Sequence, residues 1–115
     1  MLGNLKNKLG DGAVQKAIDK FAPEIENQLK KITDMNADDV RSDEKFKSKV
    51  VAPALIAASA ASSGATKLIP KFDIKFTNAL FNVRNELVNT DTDKISLVEG
   101  YEKQLPDVLM KGFKE

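Results

Sequence analysis

The chain of 115 residues contains no cysteine and no histidine. Without cysteine it forms no disulfides and has no thiolate chemistry, and without both residue types the usual zinc sites cannot be built. The lack of histidine also removes the commonest acid–base catalyst. These absences exclude most enzyme mechanisms, so we predict a non-enzymatic protein that needs no metal or other cofactor.

The chain also lacks an excess of charge of either sign. Eighteen basic residues against 17 acidic ones leave a formal net charge of +1, which gives no electrostatic reason to bind nucleic acid. We therefore expect no nucleic-acid partner. The first ten residues, MLGNLKNKLG, lack the continuous apolar core of a secretory signal. A cytoplasmic protein is expected, and the absence of disulfides is ordinary there.

Only one stretch approaches a long hydrophobic run, namely VVAPALIAASAASSGATKLIP at residues 50–70. The 17 uncharged residues between Lys49 and Lys67 fall short of the ~20 apolar residues that a membrane-spanning helix needs. Its many small residues would let a neighbouring helix approach closely. We predict that residues 50–63 form the most buried helix of a core, bent or restarted at Pro53.

Helix-breaking residues are scarce, with four prolines and six glycines, and apolar residues recur at steps of three and four. This period predicts helices throughout. The predicted fold is all-α, an antiparallel four-helix bundle with a short extra N-terminal helix. Residues 1–10 would form that short amphipathic helix, ended by Gly10 and Gly12, and residues 11–115 a single bundle domain.

The first long segment shows the regular spacing of a buried helical face. Its apolar residues keep the same phase on both sides of Pro23, which predicts one helix kinked at the proline rather than two. The residues of this face are Val14, Ile18, Phe21, Ile25, Leu29 and Ile32.

The third segment, FDIKFTNALFNVRNELVN, has two apolar faces. Ile74, Phe81 and Val88 are spaced by seven and lie nearly opposite the other face. A helix with two apolar faces is either sandwiched between neighbours or presents one face to a partner. The first face consists of Phe72, Phe76, Leu80, Val83 and Leu87.

The fourth segment is predicted to begin after NTDTD, with Thr90 or Thr92 as its N-cap. Pro106 is expected to kink this helix and Gly112 to let its end fray. Its predicted buried face consists of Leu97, Val98, Tyr101, Leu105, Val108 and Leu109.

These patterns favour a binding or assembly module that acts through an apolar helix face. The predicted contact residues are Ile74, Phe81 and Val88, extended by Leu2, Leu5 and Leu9 of the N-terminal helix. We expect a protein partner or self-association at this surface.

The main alternative is a peripheral membrane protein, or a helical protein that binds an apolar ligand. Lys67, Lys71 and Lys75 follow the small-residue stretch and could form a basic collar that contacts anionic lipid. Three lysines at ~1 kcal/mol each would give only weak, salt-sensitive binding.

Two further kinds of site receive little support. DMNADDVRSDEK at residues 34–45 begins like a calcium loop but has Asp39 where glycine is needed and Lys45 where glutamate is needed. A polar loop with Asp38 or Ser42 as a helix cap is favoured instead. The serines, among them Ser63, have no histidine base, and a serine–lysine pair with Lys67 would need a geometry that the sequence does not show, so no catalytic residue is predicted.

Overall fold

A computed structural model describes residues 2–61 and 69–114, with side chains described for residues 14–61 and 69–114. The described chain is all-α with one small antiparallel hairpin, which confirms the predicted fold class. Its elements are α1 (Leu2–Ile32), α2 (Ala37–Arg41), α3 (Asp43–Phe46), a π-helix (Lys47–Val51), α4 (Ala52–Ala61), α5 (Phe72–Leu87), β1 (Val88–Asn89), β2 (Ser96–Leu97) and α6 (Tyr101–Lys114). The antiparallel four-helix bundle remains a prediction.

Helix α1 continues from Leu2 to Ile32 and contains Pro23, as the phase of its apolar residues indicated. It differs from the prediction at Gly10 and Gly12, which lie inside the helix rather than at the end of a separate one. A glycine in a helix costs only about 1 kcal/mol relative to alanine, so it weakens a helix without ending it. The predicted contact residues Leu2, Leu5 and Leu9 have side chains outside the described set.

The predicted face of α1 lies in the core. Its members from residue 18 onward are at most 1% exposed, and Val14 packs against the same core while partly buried. The buried members are Ile18, Phe21, Ile25, Leu29 and Ile32.

The segment between α1 and α4 forms three short turns of helix. Ser42 caps α3, since its Oγ accepts a hydrogen bond from the Lys45 amide at 3.3 Å. In the π-helix the Lys47 carbonyl accepts from the amide of Ala52, five residues on. Pro53 follows directly, and it can neither donate to a carbonyl four residues back nor fit against it in a regular α-helix. The wider turn accommodates the proline.

Helix α4 is not the most buried helix, contrary to the prediction. Within it only Ala54 and Ala58 are buried, and Ile56 is 72% exposed. Because the alanines surround the helix on all sides, the sequence defines no single face, and each methyl group contributes little buried area. No helix among residues 2–61 and 69–114 is both long and apolar enough to cross a membrane.

Helix α5 buries its first predicted face completely, from Phe72 to Leu87. The chain then turns through the hairpin, in which Val88 pairs with Leu97 and Asn89 with Ser96. Phe113 near the end of α6 lies with its ring 5.6 Å from that of Phe72, so α5 and α6 run in opposite directions.

Helix α6 begins at Tyr101, so the predicted start near Thr90 or Thr92 is wrong. The polar side chains of that region bond to nearby backbone instead: the Asn89 side-chain oxygen accepts from the Asp91 amide, and the Thr92 hydroxyl donates to the Lys94 carbonyl. Such local bonds favour turns over helix. Leu97 and Val98 consequently precede the helix rather than lie on its face.

The end of α6 also differs from the prediction. Gly112 is buried and α6 continues to Lys114, so the helix does not fray at the glycine. A Cβ at position 112 would lie 2.4 Å from the Cα of Ala79 on α5, which shows that the two backbones approach closely there. Gly112 is therefore a packing residue.

Candidate functional site

An open groove lies between the π-helix, α4 and α5, and we refer to it as the α5 groove. Its volume is ≈ 550 Å³. One wall comes from α5, and single residues of the π-helix and α4 complete it. The lining residues are Lys47, Leu55, Asp73, Ile74, Thr77, Asn78 and Phe81.

The apolar part of the α5 groove consists of Leu55, Ile74 and Phe81. Ile74 is 60% exposed, and the other two are half-buried. Ile74 and Phe81 are seven residues apart on α5 and therefore project from the same side of the helix. In the described part of the chain, Ile56 and Ile74 are the large apolar side chains that are strongly exposed. The groove thus presents apolar side chains to solvent.

The rim of the α5 groove carries one charge of each sign. Neither the Lys47 ammonium nor the Asp73 carboxylate has an ion-pair or hydrogen-bond partner among the residues that the structure describes. The Thr77 hydroxyl donates to the Asp73 carbonyl at 2.8 Å, so it is used within α5. Both charged groups are available to a molecule that enters the groove.

Phe81 is held in place from its buried side. Its ring lies 5.6 Å from the ring of Phe46, and the Arg84 guanidinium carbon lies 5.0 Å from the Phe81 ring centre and 5.2 Å from that of Phe46. Arg84 Nη1 is 2.7 Å from Asp43 Oδ1, close enough for an ion pair although not aligned for a hydrogen bond. These cation–π contacts fix Phe81 in the α5 wall of the groove.

Sequence reasoning missed Phe46 and Arg84. A signal for Arg84 was present, because it follows Phe81 by three residues and the two side chains are neighbours on a helix. Phe46 is the single apolar residue within DEKFKSK, and a buried aromatic was the simplest reason for its presence there. Its pairing with Phe81 depends on tertiary structure.

Of the three contact residues predicted in the third segment, the structure brings Ile74 and Phe81 together in the groove. Val88 lies apart from these two residues and is buried in β1 opposite Leu97. The spacing by seven applies only within a helix, and α5 ends at Leu87. Val88 is therefore a core residue and not part of an exposed surface.

The predicted basic collar is not a set of three free lysines. The Lys75 ammonium donates to the Phe113 carbonyl at 3.2 Å and so supplies a hydrogen-bond partner to a carbonyl at the C-terminal end of α6. Lys71 is exposed and has a left-handed backbone with φ 54°. Lys67 lies outside the described residues, as does Ser63. The described lysines thus give the lipid alternative no additional support.

The calcium-like segment has structural roles instead. Asn36, not Asp38, caps α2. The Arg41 guanidinium donates to the carbonyls of Thr90 at 2.7 Å and Thr92 at 2.9 Å, which fastens the hairpin loop to α2. Within the described ranges, no group of three or more acidic side chains is placed to hold a metal ion.

Asp39 lies between two ammonium groups, with Lys49 at 2.8 Å and Lys45 at 3.4 Å. The hydrogen bond from Lys49, with further contributions from Lys45, holds the pKa of Asp39 below its ordinary value of 3.8 although partial burial opposes this. A lowered folded-state pKa stabilises the protein above the unfolded-state pKa, and that contribution is lost as the pH falls through the folded-state value.

We therefore expect Asp39→Asn to lower the free energy of unfolding at neutral pH and to have progressively less effect as the pH falls below 3.8. Urea unfolding of both proteins at several pH values measures the difference. Asp91→Asn, which removes an exposed carboxylate in the hairpin loop, is the control and should change the free energy of unfolding at neutral pH by less than about 0.5 kcal/mol. An equal loss for Asp39→Asn at all pH values would contradict the assignment.

The described chain is an all-α protein with an open groove between its helices. Compared with protein-family models, curated proteins and solved structures, it matches none of them. No match supplies a function, so only the chain's own residues indicate one.

Proposed function

We propose that the protein is a non-enzymatic binding or assembly module whose contact surface is the α5 groove. The observation that carries the proposal is Ile74, a large aliphatic side chain that is 60% exposed within a concave surface shared with Leu55 and Phe81. Exposed apolar surface with a polar rim is typical of protein interaction sites. Interfaces of this kind are centred on a few aromatic and aliphatic anchors.

The form of the groove favours a protein segment over a small molecule. It is open along α5 rather than enclosed, and its rim offers Lys47 and Asp73 to groups of opposite charge. A helix that presents apolar residues at steps of three and four would place them against Ile74 and Phe81. The fixed position of Phe81 against Phe46 lowers the entropic cost of binding, since this part of the wall is already ordered.

The same residues favour binding over catalysis. Among the described residues that line the groove, Thr77 supplies the one hydroxyl, and its hydrogen bond goes to a backbone carbonyl rather than to a base. An activated nucleophile needs a general base within hydrogen-bond reach. The absence of histidine and cysteine from the whole chain points in the same direction.

Site-specific photo-crosslinking tests the proposal. A benzophenone amino acid at the exposed groove residue Asn78 is expected to form adducts of defined mass with a protein in the cells that produce this chain. The same group at Asn27, exposed on α1, is the matched control and should form none. Ile74→Asp should reduce the adducts about thirty-fold, which corresponds to loss of a ~2 kcal/mol anchor, whereas Ile74→Leu should retain them.

Ile74 suits this test because we expect its replacement to leave the fold intact. The residue is in the first turn of α5, where an acidic side chain is favourable toward the helix dipole, and it contributes little buried area. Equal crosslinking from positions 78 and 27, or adducts unaffected by Ile74→Asp in a folded protein, would show that the groove is not the contact surface.

A further inference from the structure

The α5 groove lies beside a projecting side chain of complementary size. Ile56 on α4 is 72% exposed, and the residue before it, Leu55, lines the groove. Successive helix residues differ by about 100° in direction. Leu55 therefore faces the groove, while Ile56 projects outward from the same helix. One face of the molecule thus combines an apolar projection and an apolar depression.

We propose that the occupant of the α5 groove is a second copy of this chain, in a two-fold dimer in which Ile56 of each copy enters the groove of the other. The inference rests on the proposed function of the groove as a contact surface. A two-fold interface requires both complementary elements on the same patch, because each copy offers what the other receives. The requirement is met because Leu55, which lines the groove, is next to Ile56, the side chain that projects.

Charge complementarity argues for a second copy rather than another partner. Lys47 and Asp73 carry opposite charges on the rim, and each lacks a partner within the described part of the chain. In the proposed dimer Lys47 of one copy faces Asp73 of the other, and two-fold symmetry makes this pair occur twice. A partner segment that carried charge of only one sign would attract one of these two groups and repel the other. The net charge of +1 adds little repulsion between copies.

Helix α4 can enter such an interface without removing a charge from water. It has no charged residue, and Ala52, Pro53 and Ala60 are exposed beside Ile56. Small side chains allow the close approach that Ile56 needs to reach a groove of ≈ 550 Å³. Depletion of charge at the centre is the composition found in the buried part of interfaces.

The solution mass tests the dimer directly. We expect light scattering of the full chain to rise with concentration from 12.6 kDa toward twice that value. Ile56→Asp and Ile74→Asp should each raise the dissociation constant at least about ten-fold, as loss of a central interface residue does, while circular dichroism stays unchanged. Gln15→Asp, an exposed change on α1, is the control and should leave the dissociation constant unaltered.

A charge exchange between copies distinguishes this arrangement from other dimers. Lys47→Asp and Asp73→Lys each place like charges opposite one another in a dimer with itself, so each variant alone should be monomeric. In a mixture of the two variants, every contact again joins opposite charges, and the dimer mass should return. Failure of the mixture to associate would overturn the crossed pairing.

The outcomes separate the dimer from the function on which it rests. An intact chain that stays at 12.6 kDa at all concentrations overturns the dimer. If groove crosslinks to a different protein persist in that case, the groove is a contact surface for another partner. A dimer that is unaffected by either isoleucine substitution lies elsewhere on the molecule, which also overturns the inference.

Discussion

Phe21→Ala is expected to lower the free energy of unfolding by about 3–5 kcal/mol, the cost of removing a fully buried aromatic side chain. Phe21 is 0% exposed and contacts three other rings, with centroid distances of 5.5 Å to Phe76, 5.9 Å to Phe113 and 6.1 Å to Phe72. These rings belong to α5 and α6, so Phe21 joins the longest helix to both. Its removal leaves a cavity that three helices must close together.

The loss should be large relative to the whole stability of the protein. A chain of 115 residues is stable by roughly 6–17 kcal/mol at ~0.05–0.15 kcal/mol per residue. The midpoint of thermal unfolding should therefore fall by about 10–20 °C, and differential scanning calorimetry measures it.

Phe81→Ala is the matched control, because it removes the same side chain from a half-buried position. We expect it to cost clearly less than Phe21→Ala, since part of the Phe81 ring is already in contact with water. Phe21→Leu should recover most of the stability, because it fills most of the volume. If Phe21→Ala cost no more than Phe81→Ala, the four-ring cluster would not be the centre of the core.

The buried face of α1 was predictable because helical periodicity needs no knowledge of the rest of the chain. The apolar residues from Ile18 to Ile32 keep one phase through Pro23, and a core face of a helix is defined by that phase alone. The same holds for the first face of α5. Phe113 was missed, although it continues the α6 face four residues after Leu109. The reason is that the helix was expected to fray at Gly112.

The region after α5 could not be predicted in this way. VNTDTDKISL contains apolar residues at spacings that suit a helix or two short strands. Bonds made by Arg41, which is about 50 residues earlier in the chain, hold the loop in its hairpin form through the carbonyls of Thr90 and Thr92. A contact of such sequence separation leaves no local periodic signal. The predicted helix therefore began too early, and Val88 was assigned to the wrong surface.

The candidate site was predictable in part for a related reason. The spacing of Ile74 and Phe81 defined one wall of the groove from α5 alone. The opposite wall, Leu55, comes from α4, whose alanines give no preferred face, and Lys47 comes from a π-helix that the sequence signals only through Pro53. A groove forms between elements that are separate in the sequence. Helical periodicity therefore identified the residues of one wall but could not show that a groove lies beside them.

Gly112→Ala is expected to lower the free energy of unfolding by about 1–3 kcal/mol, although the same substitution in an open helix would be stabilising by about 1 kcal/mol. The added Cβ would lie 2.4 Å from the Cα of Ala79, 2.6 Å from its Cβ and 2.7 Å from its nitrogen. Two of these three atoms are backbone, so no rotamer change relieves the contact. Helices α5 and α6 must move apart, which also disturbs the ring contact of Phe113 with Phe72.

A second substitution distinguishes backbone contact from side-chain crowding. Ala79→Gly removes one of the three close atoms, the Cβ, and leaves the other two in place. The double variant should therefore remain less stable than Ala79→Gly alone, as measured by urea unfolding. If Gly112→Ala proved more stable than the parent, helix propensity would outweigh packing at this position, and α5 and α6 could not lie as close as their backbones indicate.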